Sequence, residues 1–100
     1  MQAPAAAAIE CVIRAEPQAD LLRIAAVVRS AVHASGRYRL LVAKLSSNGS
    51  TNATQSGTFT LEPGRERILT TVVLDRSAIG HYHAELSLQS DQETLTCTSP

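Results

Sequence analysis

Two imidazoles flank one phenol in His81-Tyr82-His83, and on a strand of period two they would share a face as a possible pair of zinc or copper ligands. His33 is the remaining histidine, and no carboxylate stands at a spacing that completes the set. The pair therefore reads as solvent-facing histidines, and no metal is expected. Cys11 and Cys97 are too few for a zinc site and lack the CxxC spacing of a redox pair. Joined, they would close nearly the whole chain into one loop, a constraint of about 4–5 kcal/mol in the chain-entropy view. That is a large contribution for a chain with an aromatic content of 3%. The rival reading is two buried free thiols in a cytosolic protein. Serine and threonine are abundant, yet no G-x-S-x-G elbow, glycine-rich phosphate loop or carboxylate pair in a motif context occurs. The residues point away from an enzyme and call for no cofactor.

Charge order says more than the formal net charge of zero. From Leu21 to Leu61 there is no acidic residue, whereas Arg23, Arg29, Arg37, Arg39 and Lys44 all fall there. The residues before this block are net acidic (Glu10, Glu16 and Asp20 against Arg14). So are those after it (Glu62, Glu66, Asp75, Glu85, Asp91 and Glu93 against Arg65, Arg67 and Arg76). A basic block attracts acidic partners and steers their encounter. Nucleic acid is the weaker candidate, because aromatic residues for stacking are scarce and the pI is near 6.8. If the block lies on consecutive strands of opposite sheets, its arginines either split between two faces or meet at an edge.

The elements that must carry these residues are short and alternating. Branched residues and threonine suit a pleated, half-buried surface. Ile9, Cys11 and Ile13 alternate with Glu10, Val12 and Arg14 in a first strand ending near Pro17. Leu22, Ile24, Ala26 and Val28 then oppose Arg23, Ala25, Val27 and Arg29. A helix over Ala19–Ala34 is the competitor, but the stretch has no helical polar stripe. Tyr38, Leu40 and Val42 follow the Ser35-Gly36 turn. Ser46–Asn52 reads as a polar loop around Asn48-Gly49, with glycosylation sequons at Asn48 and Asn52, and Gln55–Leu61 as a short strand. Ile68 to Leu74 makes a fifth strand, Tyr82 to Leu88 a sixth, and Leu95 and Cys97 mark the last. No run approaches the ~18 apolar residues of a membrane span. Residues 1–8 are Ala-rich and uncharged, read as a disordered, processed start of an exported chain with Met1 an addition for expression.

Seven strands without a helix or repeat predict an all-β, single-domain, immunoglobulin-like sandwich over residues 9–98. Tyr82, two residues before the small Ala84 and preceded by Asp75 and Gly80, resembles the tyrosine corner of such domains. There the hydroxyl bonds backbone a few residues upstream. In antibody domains the second core cysteine stands where Ala84 does; here both cysteines lie in the first and last strands.

Taken in order, Cys11-Val12-Ile13, Glu16-Pro17-Gln18, Ser35-Gly36-Arg37-Tyr38, Gln55-Ser56-Gly57-Thr58-Phe59, Tyr82-His83-Ala84-Glu85-Leu86 and Cys97 resemble the curli amyloid inhibitors. These are the CsgC-like periplasmic chaperones, and the CsgH branch is the nearer match, over about residues 9–98. The resemblance implies an immunoglobulin-like protein in the periplasm that keeps curli-type amyloid subunits from polymerising early, by electrostatic recognition; a monomer is expected. Its candidate residues here are Arg23, Arg29, Arg37, Arg39 and Lys44. The C-x-C pair of the CsgC branch is missing, so the resemblance implies no thiol-exchange role. A structural immunoglobulin-like module of an adhesin or pilus is the alternative, and a metal-handling protein using His81 and His83 a third.

Overall fold

The structure is a computed structural model and describes residues 8–46, 49–91 and 93–99. Among the described residues seven strands form two antiparallel sheets. They are β1 (Ile9–Gln18), β2 (Leu21–Ser30), β3 (Ala34–Ser46), β4 (Gly49–Leu61), β5 (Glu66–Asp75), β6 (Tyr82–Ser90) and β7 (Thr94–Ser99). One sheet has the order β1-β2-β5 and the other β4-β3-β6-β7. A 3-10 turn, Arg76–Ala78, rounds the corner before β6. This is the immunoglobulin-like sandwich that the alternation predicts. The Ala-rich start, apart from Ala8, and Asn48 lie outside the described residues.

Alternation builds the core directly. Leu22, Ile24, Ala26 and Val28 from one sheet meet Leu40, Val42, Ala84, Leu86 and Leu88 from the other, all of them buried. Leu40 and Leu86 stand opposite each other and are fully enclosed, each worth about 1.5–3 kcal/mol in transfer free energy. Small residues let the sheets close where aromatic ones would not fit. A Cβ on Gly36 would lie 2.1 Å from the Gln89 carbonyl oxygen, so only glycine allows β3 to approach β6 at that end.

The sequence expectations for this stretch are corrected: Gly49–Asn52, read as loop, are strand, and the strand that follows is not short, while residues 47 and 48 of the expected loop lie outside the described residues. β4 runs for 13 residues and pairs with β3 from Ser46↔Gly49 to Ala34↔Leu61. Its serines, threonines and asparagine read as loop because they are polar, but an edge strand with one wet face accommodates them. The long β3–β4 hairpin helps make the molecule elongated, 52 × 27 × 20 Å. Val27, placed outward by period two, is only 2% exposed. It lies in the central strand between Val12 and Ile68, where the β2–β5 register shifts.

Cys11 and Cys97 are bonded in a disulfide, with Cα atoms 6.1 Å apart. It ties the outer strand of one sheet, β1, to the outer strand of the other, β7, and closes that side of the sandwich. An oxidising compartment suits such a bond. Tyr82 departs from the corner geometry expected of it. Its hydroxyl lies 3.1 Å from the Ser99 hydroxyl, a side chain far downstream in β7 and not upstream backbone. The corner is held instead by Asp75, which caps the 3-10 turn by accepting from the Ser77 amide at 3.0 Å.

Candidate protein-binding face

The sandwich resolves the open question about the arginines: they split. β2 belongs to the three-stranded sheet and β3 to the four-stranded one, so Arg23 and Arg29 point away from one side of the molecule and Arg37 and Arg39 from the other.

On the three-stranded face the positive charge is matched. Cross-strand pairing sets Arg23 opposite Glu16, and Arg29 between Glu10 and Glu66. Arg14 completes the set with an exposed ion pair to Glu66 at 2.5 Å. Three arginines thus stand among three glutamates, and opposite charges facing each other across strands are mutually favourable. The sequence already held this signal. A tight turn at Ala19-Asp20 fixes the β1–β2 register, and that register brings Glu16 to Arg23.

Lys44 is also engaged. It follows the inward phase of Tyr38, Leu40 and Val42, and its Nζ donates to both carboxylate oxygens of Asp75, at 2.9 and 3.0 Å. Its side chain is only 16% exposed. Hydrogen bonds from Ser77 and the Lys44 ammonium hold the Asp75 carboxyl below its ordinary value of 3.8. Lys44 therefore braces the corner where β5 turns towards β6.

Arg37 and Arg39 remain. They stand two residues apart on β3, about 6.8 Å along the strand, both exposed on the outer face. Their cross-strand neighbours are Thr58 and Ser56 on β4 and Gln89 and Ser87 on β6, with Thr94 beyond on β7. These side chains frame an open hollow of about 800 Å³. Among the described residues neither arginine has a carboxylate within 4.0 Å. Glu85, the acid on this face, lies across from Leu41. The result is two adjacent guanidinium groups set in a field of hydroxyls and amides.

His83 lies on this outer face opposite Ala43, and His81, just before β6, accepts at its carbonyl from the Leu45 amide. Among the described residues no group of three or more His, Cys, Asp or Glu is placed to hold a metal ion. No helix among them is long and apolar enough to cross a membrane.

Fold and staple define the class: an immunoglobulin-like β-sandwich whose first and last strands are joined by a disulfide. Within that class, residues 10–99 match the CsgH protein family, and the chain belongs to it. The solution structure of R. palustris CsgH superposes with a TM-score of 0.78 at 26% identity, over 90% of this chain and 89% of that one. A structure of the E. coli curli protein CsgC gives 0.75 at 20% identity, over 92% of this chain and 98% of that one, a likeness of fold. A search of curated protein sequences found no match.

Proposed function

We propose that this protein is a periplasmic, monomeric inhibitor that binds curli-type amyloid subunits and prevents premature fibril nucleation through electrostatic recognition. The observation that carries the reading is the Arg37–Arg39 pair, exposed on the outer four-stranded face and, among the described residues, without a carboxylate partner. Family membership and the fold shared with a curli protein support a client among curli components. The disulfide agrees with an exported chain.

Amyloid nuclei grow by adding strands to open edges. Nuclei are rare, so an inhibitor need not hold every subunit. It must meet acidic, unstructured subunits quickly, which long-range attraction provides. Arg23 and Arg29, matched by glutamates, and Lys44, held by Asp75, contribute less in this account. No reaction is assigned to the protein.

A thioflavin time course of a curli subunit, with and without substoichiometric protein, tests the reading. A lengthened lag is the expected result. An unchanged lag, with the protein instead forming a stable stoichiometric complex, would favour a structural module of an adhesin or pilus.

A further inference from the structure

The strand edges of this sandwich are not equally defended. β1 carries Glu10, Arg14, Glu16 and Pro17 and is stapled to β7. β7 is only six residues long. β5 carries Glu66, Arg67 and Asp75. Charge, proline, shortness and covalent closure are the usual protections of an edge. β4 has none of them. From Asn52 to Thr60 it carries no charge and no proline, and its pairing with β3 runs without a bulge. Among the described residues no strand pairs with its other edge.

The phase of that edge can be read from two hydrogen bonds. Arg67 Nη1 donates to the Thr60 carbonyl at 2.8 Å, so this carbonyl is turned away from β3. Ser35, the β3 partner of Thr60, correspondingly gives its own carbonyl to the Asp91 amide on the β6 side, at 3.2 Å. In an antiparallel ladder both backbone groups of a residue turn the same way, and alternate residues share that direction. Asn52, Thr54, Ser56 and Thr58 therefore present their N–H and C=O groups to solvent as an unpaired row. Arg67 seals the row at Thr60.

The same residues send their side chains to the outer face, where Ser56 and Thr58 are the cross-strand neighbours of Arg39 and Arg37. A strand added to β4 would lie two strand spacings from β3, roughly 9–10 Å. An extended arginine and an acidic side chain span that distance between them. We infer that the β4 edge, from Asn52 to Thr58, receives an extended segment of the amyloid subunit as a fifth strand of this sheet. The segment is uncharged along most of its length and carries acidic side chains at alternate positions, facing Arg37 and Arg39. This deepens the proposed function and rests on it for the identity of the client. The arginines then supply attraction and register, and the ladder occupies the subunit backbone that a growing nucleus needs.

Amide hydrogen exchange of the full chain tests this. The probe is a synthetic peptide of about ten residues, rich in Ser, Thr, Asn, Gln and Gly, with two Asp residues two positions apart. On adding it, the amides of Asn52, Thr54, Ser56 and Thr58 should slow by about tenfold or more. Those of Ala53, Gln55 and Gly57, already paired with β3, should barely change. The variant Ser56→Pro, which removes an outward N–H from an edge position, should abolish the slowing at an unchanged melting temperature. Binding that shifts the Arg37 and Arg39 side-chain resonances without protecting the four amides overturns the inference, and the charge-based function stands. Protection of the four amides in a protein that fails to lengthen the fibrillation lag leaves the inference standing and removes the function. Protection without peptide that rises with protein concentration would make the occupant a second copy of this chain, and the inference would fall.

Discussion

The two outer faces of this sandwich carry similar residue types and treat them differently. On the three-stranded face, Arg14, Arg23 and Arg29 stand among Glu10, Glu16 and Glu66, so the positive charge is spent within the face. On the four-stranded face, Arg37 and Arg39 stand among serine, threonine and glutamine, and their field reaches into solvent. Arginine content alone does not decide the charge of a face; what the neighbouring strands bring opposite does. One chain thus builds a charge-matched face and a face with two unmatched arginines from a single basic block.

Removing the staple should have the largest effect on stability and should leave the contrast between faces intact. Cys11→Ser with Cys97→Ser should cost about 4 kcal/mol, seen as a lower urea midpoint, because the unfolded chain regains the freedom of a nearly full-length loop. Inhibition by the folded fraction should persist. Its loss in protein that is still folded would move the site to the stapled edge and break the comparison. Tyr82→Phe comes next, at about 0.5–1.5 kcal/mol for one lost hydrogen bond to Ser99. The inhibitory effect should again be unchanged. Smaller still is Arg14→Ala on the matched face. An exposed ion pair contributes about 0–1 kcal/mol, and a double-mutant cycle with Glu66→Ala would measure it.

The smallest effect concerns Lys44. Asp75 titrates below its ordinary 3.8 when folded, through Ser77 and then Lys44. A depressed carboxyl stabilises the fold at pH values above 3.8, and that contribution disappears as the pH falls through the lowered folded value. Lys44→Met should raise the Asp75 midpoint towards its ordinary value in an NMR titration. An unmoved midpoint would mean that Lys44 is free to join a binding surface after all.

The sheets were legible because period-two alternation survives nearly everywhere the core demands it. It predicted the inward sets of β1, β2, β3 and β6 residue by residue, and cysteine spacing suggested the staple. β4 was legible only from Gln55, where Phe59 and Leu61 enter the core; before it the residues are polar and give no apolar alternation to read. Val27 escaped because a central strand buries even its outer side chain once Val12 and Ile68 flank it. The basic block was visible as composition, but its division was not. Neutralisation of Arg23 and Arg29 depends on register with strands before and far after them. Lys44 finds Asp75 only once the corner has folded. Tyr82 was read as bonding upstream backbone, but its partner belongs to the last strand, beyond the reach of a local motif.

Charge reversal on one face at a time measures the contrast most directly. Fibrillation of a curli subunit at low salt should be followed with wild type, with Arg37→Glu plus Arg39→Glu, and with Arg23→Glu plus Arg29→Glu, each at the same folded fraction. Reversal of the Arg37–Arg39 pair should return the lag to that of the subunit alone. Reversal of the Arg23–Arg29 pair should leave most of the inhibition. Raising salt to 1 M, where the screening length is about 3 Å, should reduce wild type towards the first variant. Equal inhibition by all three proteins at low salt would contradict the account.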